Sequence, residues 1–160
     1  MPSRFRASEE LTLEEFFRQG ETIHEDFRQR LHRLSDEFPD ARGEGFQTNK
    51  ACYGEFVVLF AALFDELEIL NPPLQAEDDF DELLSAGREL AEFLEWLSVG
   101  IAGADSSAEA RRLLDEGLLD VALVSVELAQ VRYRDACQSL REFADANGIV
   151  ASLDCGMFGA

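Results

Sequence analysis

Two histidines, three cysteines and thirty-three carboxylates are the side chains from which this chain could assemble a reaction centre. Glu21-x-x-His24 has the i, i+3 spacing that di-iron carboxylate bundles use. Those sites take such a motif from two helices and add two further glutamates, whereas this chain holds the motif once. The spacing therefore predicts a core-edge His24 hydrogen-bonded to Glu21, with His32 solvated on the polar side of the same helix. Cys52, Cys137 and Cys155 are odd in number and far apart, with no CxxC pair and no Cys/His cluster. That pattern predicts neither a disulfide framework nor a zinc site, and points to a reducing, cytoplasmic setting.

The carboxylates offer more. Asp65-x-x-Glu68 and Asp79-x-x-Glu82 flank a short turn, Asn71 to Ala76. If both helices end there, the four oxygen-bearing groups could converge on Mg²⁺, which prefers such ligands. The arrangement resembles the paired carboxylate motifs of all-α nucleotide pyrophosphatases, and that resemblance implies a Mg-dependent nucleotide-processing enzyme. No basic residue nearby would grip a triphosphate. Arg18 and His24, six positions apart, resemble the Arg-(x)4–6-His element of the HEPN family of helical ribonucleases. Gln19 stands where that family usually has a small polar residue. An RNA substrate also conflicts with the charge, because binding polyanions requires Lys and Arg.

The charge is −19 overall and uneven. Residues 51–105 carry thirteen acidic groups against Arg88 alone, while residues 1–50 carry eleven acidic and eight basic ones. Adaptation to salt would spread the acids evenly. Within the acidic third, Glu82, Glu89 and Glu92 recur at helical spacing along about 15 Å of one helix, with Glu95 beside them. Trp96 lies in this face, flanked by Phe93, and tryptophan is a frequent interface anchor. These residues predict a non-enzymatic interaction module whose carboxylate row, spaced like the phosphates of a nucleic-acid strand, docks on a basic protein surface. Inhibition of a nucleic-acid-binding or defence complex is one use of such a mimic. Direct nucleic-acid binding is not expected, nor is membrane insertion: Met1 to Glu10 is polar, and no segment reaches the roughly 20 apolar residues a span needs. A third reading is a structural subunit of a larger assembly, associating through an apolar tail.

The elements that must position these groups are helices. The uncharged run Phe56–Phe64 (FVVLFAALF) continues through residues that favour helix and stops at Pro72 and Pro73, with Asn49 as its expected N-cap. Thr12-Leu13-Glu14-Glu15 is a capping box. It opens a first helix with Phe16, Ile23, Phe27, Leu31, Leu34 and Phe38 on one face, and Gly20 there suggests a close helix crossing. A third helix from Glu77 has Phe80, Leu83, Leu84, Gly87, Leu90, Ala91 and Leu94 as its buried stripe. A short piece is expected over 107–116. The last helix, 118–147, has a main apolar face through Ala129, Tyr133, Ala136 and Leu140, and a second flank at Val121, Val124, Leu128 and Val131. Gly148 suits the residue that ends it.

The expected architecture is all-α: a single-domain bundle of four to five helices around a central apolar helix (about 50–70), with a long last helix (about 118–147). An N-terminal arm (1–11) precedes the bundle (12–148), and an apolar tail (149–160) follows it.

Overall fold

A computed structural model describes residues 11–37, 46–106, 108, 109, 112 and 119–156. Four helices carry the fold: α1 (Leu13–Glu37), α2 (Phe46–Glu68), α3 (Glu77–Ala102) and α4 (Leu119–Ala146), with one 3₁₀ turn at Leu74–Ala76. There is no strand among the described residues. The short piece expected over 107–116 lies largely outside them, as do most of the N-terminal arm and Phe38.

Local chemistry sets the helix ends. At the start of α1 the Glu15 N–H donates to Thr12 Oγ1 (3.2 Å), and the Thr12 N–H donates to Glu15 Oε2 (3.3 Å), so the capping box is closed in both directions. Helix α2 begins at Phe46, three residues before the expected cap, so Asn49 is interior to it. Its last turn tightens into i, i+3 bonds from Ile69 and Leu70 before the buried Pro72 and Pro73. The end of α4 closes with Ile149 N–H on Ala144 O (2.9 Å) and Gly148 N–H on Asp145 O (3.1 Å). Gly148 takes φ +73°, the left-handed conformation that a side chain would oppose.

The helices pack in chain order, α2 lying between α1 and α3, and α3 between α2 and α4. Phe64, Leu63 and Leu67 of α2 are almost wholly buried, and with Tyr133 of α4 they form the centre of the core. Edge-to-face ring pairs join the layers: Phe16 with Phe80 (5.0 Å), Phe27 with Phe60 (5.1 Å), and Phe64 with Tyr133 (6.2 Å). Gly87 of α3 faces the Phe64 ring so closely that a Cβ there would lie 2.1 Å from Cε1. The close crossing is therefore at Gly87. At Gly20 the nearest atom to an added Cβ is 4.0 Å away, so the crossing expected there is not made.

Packing decides the place of two apolar features. The second flank of α4, Val124, Leu128 and Val131, is exposed. The segment after Gly148 returns along the bundle, its Ile149, Ala151 and Leu153 packing against the core. Cys155 is thereby brought to Cys137 (Cα–Cα 5.4 Å), and the two form a disulfide. The expectation of three unbridged cysteines is corrected for this pair; Cys52 alone is free.

Candidate functional site

The carboxylate row on α3 comes first. Glu82, Ser85, Glu89, Glu92, Trp96 and Val99 fall at alternating three- and four-residue steps, which places them on one helix face, and all six are exposed. The row is not a bare negative strip. Arg132 reaches across from α4 and donates through Nε to Glu82 Oε1 (2.6 Å), through Nη1 to Glu89 Oε1 (2.8 Å), and through Nη2 to Ser85 Oγ (3.2 Å). Its hydrogen bond holds the Glu82 carboxyl below the usual carboxylate range, against a smaller opposing effect of burial. The bonds from Glu82 and Glu89 keep the guanidinium charged well above its ordinary value. Two of the carboxylates expected to face a partner are thus engaged within the molecule. Glu92 and Glu95, further along α3, remain exposed.

The four proposed Mg²⁺ ligands do not converge. Arg88, the single cation of the acidic third, donates to Asp65 Oδ1 (3.2 Å) and to Glu68. Burial alone would lower its pKa, but these bonds together with the charges of the two carboxylates outweigh burial and raise it. Glu82 is turned to Arg132, leaving Asp79 without the other three. Among the described residues no group of three or more His, Cys, Asp or Glu side chains could hold a metal ion. The sequence reading placed opposite-helix carboxylates together; the arginines between them decide otherwise.

The histidine readings also change. His24 is 5 % exposed and its Nδ1 lies 2.8 Å from the Gly20 carbonyl, so Nδ1 carries the proton and donates. Burial lowers its pKa, partly offset by that carbonyl. Glu21 is not its partner: Glu21 Oε1 accepts the Ser152 N–H at 2.6 Å. Arg18 is exposed while His24 is buried, as six residues of helix, about 240° of rotation, require. They share no site. His32 is exposed, with Nε2 4.0 Å from Asp36.

One surface that the sequence divided between core and periphery comes together. Arg132 sits level with Ser85, and Leu140 lies level with Phe80 and Leu83 around a common cavity, so α3 and α4 run antiparallel. One turn beyond Arg132 along α4, Leu128 (60 % exposed) faces out. Val124 (57 %) and Val131 (40 %) flank it at i−4 and i+3. On α3, Trp96 (42 %) and Val99 (68 %) continue the face, and the Trp96 ring is stacked on Phe93 at 5.9 Å. Exposed acids border the strip: Glu92 and Glu95 on α3, Glu127 and Asp135 on α4. The sequence signal for it is the second apolar flank of α4.

Comparison with protein-family models, with curated proteins and with solved structures finds no match to this chain. No helix among the described residues is long and apolar enough to cross a membrane.

Proposed function

We propose that this chain is a non-enzymatic interaction protein that binds a basic amphipathic helix of a partner protein along the outward face of α3 and α4. The observation that carries the reading is the clustering of exposed apolar side chains. Among the described residues, five of the nine large apolar groups left exposed (Trp96, Val99, Val124, Leu128 and Val131) lie on these two adjacent helices. Contiguous exposed apolar surface with a polar rim is characteristic of binding sites, and two parallel ridges of side chains form a groove suited to an apolar helix face.

Charge selects the occupant. A second copy of this chain carries the same net charge of −19 and would be repelled. A cationic helix would be drawn in, and its lysines or arginines would meet Glu92, Glu95 and Glu127 at the rim. Affinity would come from Trp96 and its apolar neighbours, with the carboxylates acting on association rate and register. The Arg132 clamp on Glu82 and Glu89 weighs against mimicry of a whole phosphate strand. A partner helix that ordinarily meets nucleic acid would still be blocked by occupancy of this groove.

Calorimetric titration with a synthetic Leu/Lys helix, leucines at heptad positions a and d, tests this. Binding is expected, weakened by 0.5 M salt, and weakened roughly tenfold or more by Leu128→Asp, since full burial of a leucine contributes about 1.5–3 kcal/mol. Equal binding of a scrambled peptide, or an unchanged Kd for Leu128→Asp, would remove the reading.

A further inference from the structure

The segment beyond Gly148 is attached to the bundle in an uneven way. It has no regular secondary structure from Ile149 to Leu153, and Val150, Ser152 and Asp154 point to solvent. Its polar tie to another element is the Ser152 N–H on the α1 residue Glu21. Its apolar tie is Leu153, which closes a cavity otherwise lined by Leu70 and by side chains of α1, α2, α3 and α4, among them Phe17, His24, Phe80 and Leu140. The covalent tie is the disulfide from Cys155 to Cys137, and Cys137 is buried in the middle of α4. Helix α4 is held to α3 over its length independently of this bond, by Ala129, Tyr133, Ala136, Leu140 and the Arg132 clamp.

We propose that the Cys137–Cys155 disulfide is a redox latch: it keeps residues 149–156 seated as a cover over the His24 cavity, and its reduction releases the cover while the four helices stay packed. The reaction is thiol–disulfide exchange with a dithiol. A thiolate of the dithiol attacks Cys155 Sγ, the Cys137 sulfur leaves as a thiolate and takes up a proton, and a mixed disulfide forms. The second thiol of the reagent then attacks its own sulfur in that mixed disulfide and frees Cys155. Two electrons pass to the protein, two thiols result, and the dithiol ends as a disulfide.

Release would let water reach the face of His24 that Leu153 now covers, along with the apolar side chains around it. Asp154, which lies close enough to His24 to favour its protonated form, would leave with the segment. Loss of burial acts in the opposite direction to loss of Asp154, and burial is the larger influence. The His24 titration midpoint should therefore rise toward 6.5 on reduction.

Hydrogen exchange of the full chain, with and without dithiothreitol, tests the latch, with alkylation confirming two new thiols. A loop closed across 18 residues is entropically favoured by roughly two orders of magnitude when cross-linked. Exchange in 149–156, the Ser152 amide above all, should accelerate by about that factor on reduction, with α1–α4 unchanged. The Cys155→Ser variant should show the released pattern without reductant. Unchanged protection of 149–156 after reduction, or equal loss of protection throughout the four helices, would each overturn the proposal.

Discussion

Replacing Gly87 by alanine puts the packing of this bundle to a quantitative test. The new Cβ would lie 2.1, 2.4 and 2.8 Å from Cε1, Cζ and Cδ1 of Phe64. Carbon atoms reach their optimum separation at about 3.5–4.0 Å, so ring and helix must part by more than 1 Å. Phe64 is fully buried against Tyr133, so its ring cannot swing into solvent. Overpacking costs about 1–3 kcal/mol, and this overlap belongs at the upper end. Alanine's helix propensity offsets about 1 kcal/mol of it. The net is a loss of about 2 kcal/mol, or a fall in Tm of roughly 4–8 °C for a chain of this size. Gly54→Ala is the control: nothing lies within 4 Å of its Cβ, so propensity alone should raise Tm by roughly 2–4 °C. Thermal unfolding followed by circular dichroism measures both. If Gly87→Ala unfolds at or above the wild-type temperature, the close approach of α3 to α2 is not as described. If the loss is real, adding Phe64→Leu should recover part of it, because the two changes act on one contact.

Arg132→Ala should destabilise by about 1 kcal/mol or less, because the clamp is largely exposed and screened, and the difference should shrink in 0.5 M salt. The Glu82 carboxyl has a lowered folded pKa, so its share of stability is present above its unfolded value of 4.5 and is lost as pH falls through the lowered folded value. Denaturant titrations at pH 7 and pH 3.5 should show the Arg132→Ala difference shrinking at the lower pH. His24 also has a lowered folded pKa, so the unfolded chain takes up its proton first as pH drops. Its contribution is complete above about 6.5 and declines as pH falls through that value; His24→Met should remove this part of the acid slope. Millimolar Mg²⁺ should give no saturable rise in Tm, since Asp65, Glu68 and Glu82 are turned to arginines. A saturable rise abolished by Asp79→Asn would contradict that.

Features whose physics is local were legible in the sequence. The Thr12–Glu15 capping box, the stop at Pro72–Pro73 and the Gly148 terminator each depend on a few adjacent residues, and each stands as expected apart from the shifted start of α2. Features that depend on how two helices are rotated against each other were not. Arg132 meets Glu82 and Glu89 across 50 and 43 residues, and no spacing within α3 announces an arginine from elsewhere. Helix α4 is apolar over more than half its circumference; periodicity marked Ala129, Tyr133, Ala136 and Leu140 as its main face, which is buried, but could not tell that the second flank, Val124, Leu128 and Val131, is left uncovered. Cys155 follows a segment with neither helical nor strand period, so its return to Cys137 had no sequence signature. The stripe spacing places Gly87 on the buried face of α3, but the reason for a glycine there is the ring of Phe64, twenty-three residues earlier in the chain.

The groove of α3 and α4 contains the only tryptophan of the chain, half-exposed and stacked on Phe93, so its emission reports directly on occupancy. Titrating the Leu/Lys helix into the protein should move Trp96 emission to shorter wavelength in a saturable way. The scrambled peptide should leave it in place, and Leu128→Asp should shift the curve to higher concentration. An emission maximum that does not move at saturating peptide, or that moves identically with the scrambled sequence, would contradict binding at this face.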